Sequence, residues 1–167
     1  IGKTLVELQK SVPINEIYGF DNGLFFIQDA SSALCASLIS KDSVKSENPV
    51  IIDTCACPGG KSFSMALDMG NEGEVLAFDL HANKLSLIEK GAAKLGLTAI
   101  QVSARDARDP DPALIDSADR VLCDAPCSGL GVIAKKPDIG SLREIPSMRR
   151  AANAAPSLHI TRKRFHF

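Results

Sequence analysis

Cysteine, glycine and carboxylate residues follow the apolar runs of this chain, and these residue types can bind ligands or react. Asp53 to Lys61 reads Asp-Thr-Cys-Ala-Cys-Pro-Gly-Gly-Lys, directly after the apolar run Val50-Ile51-Ile52 and before a helical pattern. Gly59 and Gly60 let the backbone approach a ligand closely, and the first turn of a helix presents unpaired N–H groups. The junction therefore predicts a ligand-binding turn.

A second segment with a reactive residue type is Asp124-Ala-Pro-Cys-Ser-Gly129, which places the thiol of Cys127 just beyond a strand signal. A cysteine at that place can act as a nucleophile. The alternative is a small apolar side chain that fills space under a loop. A zinc site built from Cys55, Cys57, Cys123 and Cys127 would need unusual Cys-x-Cys and Cys-x3-Cys spacings, so we expect no metal.

Strand and helix signals alternate from about Pro49 onward. The predicted strands are Val50–Asp53, Glu74–Asp79, Ala99–Val102 and Arg120–Asp124, and the predicted helices cover about Gly60–Met69, Ala82–Leu95 and Ala113–Ser117. This alternation predicts an α/β fold with a doubly wound, mostly parallel sheet.

The N-terminal region, residues 1–48, is predicted to form a hairpin and a capping helix. Ile17–Phe20 and Leu24–Ile27 flank an Asn22-Gly23 pair, which favours a tight turn between two strands. Asp29 or Ser31 can then cap a helix. Residues 49–140 would form the core, and residues 141–167 form a basic tail whose structure the pattern leaves open.

Four acids are predicted at or just beyond strand ends: Asp53, Asp79, Asp106 and Asp124. In an open parallel sheet the ligand crevice lies there, and Asp79 follows Gly60 at close to the spacing of an acid that binds a ribose hydroxyl. Each acid alone is equally well explained by the preference of Asp for loops. The turn is neither Gly-x-Gly-x-x-Gly nor a phosphate loop, which argues against a dehydrogenase and against a triphosphate ligand.

Composition narrows the class of protein. The chain has 167 residues, of which 45% are apolar, and a net charge of −1. This allows one domain with a real core and gives no overall attraction to nucleic acid. No apolar run is long enough to cross a membrane and no secretion signal is present, so we expect a cytoplasmic protein with five reduced cysteines.

These segments resemble the Sun-type ribosomal RNA cytosine-5 methyltransferases, which use S-adenosylmethionine. The shared motifs, in the family's order, are Gln28-Asp29-Ala30-Ser31-Ser32, Asp53 to Lys61, Asp124 to Gly129, and Gly131-Val-Ile133 through Pro137-Asp138-Ile139. Where the family usually has a small residue, this chain has Cys57. The resemblance covers about Gly19 to Gly140 and implies a Rossmann-like class I methyltransferase fold, with residues 49–140 as the cofactor-binding core.

The resemblance also implies roles for individual residues. The methionine end of the cofactor would be wrapped by Cys55, Ala56, Cys57, Pro58, Gly59, Gly60 and Lys61. Asp79 would bind the ribose hydroxyls, Asp106 the adenine amino group, and Asp124 would border both the cofactor and the target cytosine. Cys127 would assist product release, or would substitute for the nucleophile that adds to C6 of the cytosine.

The family's attacking cysteine lies in a Thr-Cys motif on the following strand, and the resemblance fades after Gly140 without one. We therefore expect a chain truncated before that motif, with a sheet incomplete on its C-terminal side, that binds the cofactor with impaired catalysis. The alternative is a non-catalytic nucleotide-binding or RNA-binding remnant. In the incomplete sheet, an exposed edge would favour self-association.

Contacts to ribosomal RNA would come from local basic patches. Lys135 and Lys136 lie beside the predicted crevice and could contact substrate phosphate. The tail also carries clustered cations, Arg149, Arg150, Arg162, Lys163 and Arg164, whose alternative explanation is a solvated terminus.

Overall fold

The computed structural model describes residue 6, residues 12–40 and residues 47–125. In this part of the chain, the strands are β1 (Val50–Asp53), β2 (Glu74–Asp79), β3 (Ile100–Ala104) and β4 (Arg120–Leu122), and the α-helices are α1 (Ala30–Ser40), α2 (Gly60–Asp68) and α3 (Leu85–Lys94). Short 3₁₀ turns cover Ile14–Glu16, Ala82–Lys84 and Pro112–Leu114.

The four described strands form one parallel sheet in the order β3-β2-β1-β4. On one side of β1, Ile51 is in register with Val75 of β2, and on the other side with Arg120 of β4. The chain thus moves outward from β1 to β3 and then returns to the other side of β1. This reversal places a crevice at the carboxyl ends of β1 and β4, and the predicted doubly wound α/β fold is confirmed.

Alternate residues of the strands face two apolar layers. The larger layer buries Ile51, Val75 and Ala77 from the sheet against helix residues such as Met65 and Ile88. The smaller layer on the opposite face is formed by Ile52, Phe78 and Ala118.

Helix α2 packs on the larger layer because its buried positions recur at helical spacing. Ser62, Phe63, Met65 and Ala66 are all buried. The ring of Phe63 meets the ring of Phe26 edge-on, with 5.6 Å between the ring centroids. This contact holds the segment that precedes α1 against the start of α2.

The predicted N-terminal hairpin was wrong. Residues 17–24 form successive turns, in which the N–H of Gly23 donates to Phe20 O at 3.1 Å and the N–H of Leu24 donates to Gly19 O at 2.9 Å. Tertiary contacts outweigh the strand signals, since Lys94 Nζ lies 3.9 Å from the centroid of the Phe20 ring. The predicted cap of α1 is present, because the N–H of Ser31 donates to Asp29 Oδ1 at 3.0 Å.

The short helix expected over Ala113–Ser117 was wrong, because only a 3₁₀ turn at Pro112–Leu114 forms there. The other predicted strands and helices of the core differ from the structure only at their ends. The helix expected from Ala82 begins as a 3₁₀ turn and becomes α-helical at Leu85, and β3 extends two residues beyond Val102, to Ala104. No helix in the described part of the chain is long and apolar enough to cross a membrane. Cys127, Lys135, Lys136, the Gly131 to Ile139 motifs and the basic tail lie outside the described residues.

Candidate functional site

The turn after β1 is tied to both neighbouring strands. The N–H of Thr54 donates to Leu122 O of β4 at 3.0 Å, and the N–H of Ala56 donates to Phe78 O of β2 at 2.8 Å. Leu122 is the last residue of β4 and Phe78 is the next to last residue of β2, so both bonds lie at the carboxyl edge of the sheet. The turn is therefore held over the point where the strand order reverses.

Gly59 closes this turn in a conformation that requires glycine. Its φ angle is +112°, and a Cβ built on it would lie 2.4 Å from Phe63 Cζ. A side chain here would meet both backbone strain and a buried ring. The first turn of α2 consequently begins close to the crevice, with the unpaired N–H groups and partial positive charge of a helix N-terminus.

A cavity of about 210 Å³ opens at this turn. Its lining consists of Ile27, Gln28, Asp29, Ser32, Asp53, Cys55, Ala56, Cys57, Pro58, Gly60, Lys61 and Asp124. The structure thus brings together most of the Cys55 to Lys61 turn, as the resemblance implied, and adds residues that precede α1. The volume suits part of a cofactor rather than a whole adenosyl compound.

Asp53 is the buried carboxylate of the cavity, with 1% of its surface exposed. It accepts hydrogen bonds from Ser62 Oγ at 2.7 Å and from the N–H of Cys55 at 3.4 Å. Burial raises the pKa of Asp53 from 3.8 to about 6, and the hydrogen bond from Ser62 opposes this increase. Asp53 therefore changes charge close to neutral pH.

Lys61 and Asp124 form an ion pair across the crevice, with 2.6 Å between Lys61 Nζ and Asp124 Oδ2. Lys61 belongs to α2 and Asp124 follows β4, so the pair connects the two sides of the reversal point. The side chains are 22% and 55% exposed. Both are thus accessible to a ligand.

Asp79, at the end of β2, supports the turn from behind. Its Oδ2 accepts from the N–H of Cys57 at 3.1 Å and its Oδ1 accepts from the N–H of His81 at 3.0 Å. Asp79 is not part of the cavity lining, although it contacts Cys57, which is. Each carboxylate oxygen keeps a further lone pair for a ligand hydroxyl.

Asp106 lies beyond β3 and also outside the cavity lining. Both of its oxygens are used by Arg108, since Oδ1 accepts from Arg108 Nε at 2.9 Å and Oδ2 also contacts the guanidinium. This hydrogen bonding lowers the pKa of Asp106 from 3.8 to about 2. Arg108 would therefore compete with an adenine amino group for the carboxylate of Asp106, and this was not expected from the sequence.

The described cysteines of the site are poor nucleophiles. Burial raises the pKa of Cys55 from 9.0 to about 11, and burial also raises the pKa of Cys57. A nucleophilic cysteine needs a lowered pKa, because the thiolate is the reactive form. Within the described ranges, no group of three His, Cys, Asp or Glu residues is placed to hold a metal ion.

Sequence reasoning missed two polar side chains of this site. Ser62 supports Asp53, and Gln28, quoted above only as part of a motif, lies in the cavity wall with its Oε1 accepting from Ser64 Oγ at 2.5 Å. The signal for Ser62 was its position on the buried face of the helix that follows Asp53. Nothing in the local sequence indicates the Gln28–Ser64 contact, because 36 residues separate them.

Comparisons with known proteins agree with this geometry. The family model for 16S rRNA methyltransferase RsmB/F matches residues 43–156. A probable ribosomal RNA small subunit methyltransferase B from Bacillus subtilis is 41% identical over 140 residues, which cover 83% of this chain and 30% of the relative. The human 28S rRNA (cytosine(4447)-C(5))-methyltransferase is 36% identical over 157 residues, or 94% of this chain and 19% of the relative.

A solved structure of a related protein has the same fold. NSun6 from Pyrococcus horikoshii, determined with SFG, superposes with a TM-score of 0.74 at 31% sequence identity, covering 89% of this chain and 36% of that chain. This chain therefore spans about a third or less of the length of the relatives named here.

Proposed function

The chain belongs to the RsmB/F family of 16S rRNA methyltransferases, and from this membership we propose that its crevice binds S-adenosylmethionine for methyl transfer to C5 of a cytosine in ribosomal RNA. The observation that carries the proposal is the Cys55 to Lys61 turn, which lines a cavity at the carboxyl ends of β1 and β4. We propose residues 49–140 as the cofactor-binding unit and residues 1–48 as the segment that leads into it.

Three features of the turn fit the amino-acid end of this cofactor. Gly59 allows close backbone approach, the N-terminus of α2 favours a carboxylate, and Asp53 supplies a buried acceptor. The cavity of about 210 Å³ matches this end alone. The ribose and adenine would then lie outside it, toward the carboxyl ends of β2 and β3.

The carboxylates beyond β2 and β3 are proposed to bind the rest of the cofactor. Asp79 can accept a ribose hydroxyl while it keeps its bonds to Cys57 and His81. Asp106 can accept the adenine amino group only if Arg108 gives up part of its contact. We therefore expect Arg108 to take a different position when the cofactor is bound.

The bound cofactor supplies an electrophilic methyl group on its sulfonium. Asp124, which is 55% exposed and held by Lys61, is proposed to lie between that methyl group and the target base. The resemblance assigns Cys127 to product release or to attack, and Lys135 and Lys136 to substrate phosphate. Burial raises the pKa of Cys55 and of Cys57, which leaves Cys127 as the thiol that the resemblance places in the reaction.

Two measurements test this function. Calorimetric titration with S-adenosylmethionine should show binding to one site, and incubation with unmodified ribosomal RNA then measures methyl transfer. We expect these 167 residues alone to bind without transferring, because the family's Thr-Cys motif does not occur after Cys127 in them. Absence of binding would contradict the proposal, and transfer that Cys127→Ala abolishes would show that Cys127 itself attacks. Binding of RNA or of another nucleotide, without S-adenosylmethionine, would instead favour the remnant.

Replacing Lys61 by methionine tests the ion pair. The free energy of unfolding should change by less than about 1 kcal/mol, because the pair is partly exposed. Affinity for S-adenosylmethionine should fall about fivefold, since Lys61 lines the cavity and positions Asp124. Calorimetry on Lys61→Met measures this. Lys94→Met is the matched control, because Lys94 pairs with Asp21 at 3.7 Å and does not line the cavity, and an equal loss in both variants would contradict the role of Lys61.

Self-association remains a prediction. Strand β4 pairs with β1 along one edge, and no other described strand lies along its second edge. A strand edge without a partner can pair with another chain. Size-exclusion chromatography with light scattering should therefore show a mass above that of one chain, and a monomer at all concentrations would contradict this prediction.

A further inference from the structure

Gln28 contains a buried hydrogen-bond donor without a partner. Its Nε2 has no hydrogen bond in the described structure, although protein atoms cover it. The other end of the amide is fixed, since Oε1 accepts from Ser64 Oγ at 2.5 Å. A buried donor left without a partner destabilises the protein, so a ligand group that accepts from Nε2 would gain affinity.

The position of this donor indicates what kind of partner it takes. Gln28 lines the cavity, and a Cβ built on Gly60 would lie 3.7 Å from Gln28 Nε2. Gly60 is the first residue of α2, a helix of nine residues. The unpaired amide thus lies beside the positive end of a helix, where N–H groups also lack partners. Donors grouped in this way favour an anionic acceptor.

We propose that Gln28 is a specificity-determining residue of the cofactor site, whose side-chain amide donates to the carboxylate of the amino-acid end of S-adenosylmethionine; this inference rests on the proposed function. The ammonium of the cofactor is excluded as a partner because it is itself a donor. The same lining offers Asp29 and Asp53 for that ammonium. The cavity therefore presents both donors and acceptors to an amino acid.

The segment around Gln28 is fixed well enough for this role. Phe26, two residues earlier, packs edge-on against buried Phe63, and Asp29, one residue later, caps α1. The Ser64 hydroxyl then sets the orientation of the amide. The donor is thus held in place before the ligand arrives, which reduces the entropy lost on binding.

Decarboxylated S-adenosylmethionine isolates the proposed contact, because it lacks only the carboxylate. With the unmodified chain, calorimetry should show about tenfold weaker binding of the decarboxylated compound than of S-adenosylmethionine. Gln28→Met keeps the length of the side chain and removes the donor. This variant should bind S-adenosylmethionine about tenfold more weakly and the decarboxylated compound within about twofold of the unmodified chain.

Two further variants separate recognition of the carboxylate from support of the fold. Gln28→Glu can accept from the N-terminus of α2 but cannot donate, so it should bind S-adenosylmethionine still more weakly than Gln28→Met does. Ser64→Ala removes the partner of Oε1 and leaves Nε2 in place, so it should lose less than about threefold in affinity. Thermal melting of each variant confirms that it is folded.

The outcomes are distinguishable. Equal losses for both ligands in Gln28→Met would show that Gln28 only supports the fold and would overturn the inference. Retained affinity for S-adenosylmethionine in Gln28→Glu would overturn it as well, because the amide would then act as an acceptor that caps α2. Failure of the unmodified chain to bind either ligand would instead refute the proposed function, and this inference with it.

Discussion

Replacing Gly59 by alanine should lower the free energy of unfolding by about 3 kcal/mol and abolish measurable binding of S-adenosylmethionine. Two costs combine at this position. A φ angle of +112° strains any residue with a Cβ, which costs about 1 to 2 kcal/mol, and the new methyl group would overlap Phe63, which costs about 1 to 3 kcal/mol. Urea denaturation measures the first effect and calorimetry the second.

Two other glycines separate these costs. Gly70 has a φ angle of +71° with no atom within 4 Å of its built Cβ. Gly70→Ala should therefore lower the free energy of unfolding by about 1 kcal/mol, through backbone strain alone. Gly91 lies within α3, and its built Cβ would be 2.5 Å from the same Phe63 Cζ. Gly91→Ala should lower the free energy of unfolding by about 1 kcal/mol, because the higher helix propensity of alanine partly offsets the overpacking. If Gly59→Ala were no worse than Gly70→Ala, the packing of Phe63 under the turn would be disproved.

The second large effect concerns Asp53 and pH. A carboxyl whose pKa is raised on folding, here from 3.8 to about 6, stabilises the folded state below its unfolded pKa and loses that contribution as pH rises through the folded pKa. Stability relative to Asp53→Asn, which does not titrate, should therefore fall by about 2 kcal/mol between pH 4 and pH 8. Urea denaturation of both proteins across this range measures the difference.

A variant of Ser62 tests what sets the raised pKa of Asp53. Its hydroxyl donates to Asp53 Oδ2 at 2.7 Å and opposes the increase in pKa. In Ser62→Ala the loss of stability should therefore extend to higher pH than in the unmodified chain. Parallel stability curves for the unmodified chain and Asp53→Asn would show that Asp53 does not titrate as its burial implies.

The parts of the fold that depend on local signals were predictable from the sequence. The apolar run ending at Asp53, followed by glycines and a helical pattern, identified β1, the turn and α2 correctly, because both elements bury residues at regular spacing. The parallel, doubly wound sheet followed from the alternation of strands and helices. The segment Ile17 to Ile27 was misjudged, since the Asn22-Gly23 turn signal is local whereas the contact of Phe20 with Lys94 depends on the folded arrangement.

In the candidate site, too, contacts between residues far apart in the sequence could not be predicted. The sequence placed four acids at strand ends, but it did not distinguish buried Asp53 from exposed Asp124. The Lys61–Asp124 and Gln28–Ser64 contacts join residues 63 and 36 positions apart, and only the packed fold brings them together. Arg108 was two residues from Asp106, yet nothing in the sequence showed that its guanidinium would bind that carboxylate.

Titration of the ¹⁵N-labelled chain with S-adenosylmethionine, followed by two-dimensional NMR, tests directly whether the turn between β1 and α2 holds the cofactor. We predict saturable shifts of the amide signals of Cys57, Gly60 and Lys61, which line the cavity between β1 and α2. The signals of Gly70 and Gly96, which follow the C-terminal ends of α2 and α3, should change little. Saturable shifts confined to Gly70 and Gly96, or no shifts at any concentration, would contradict the claim that this turn holds the cofactor.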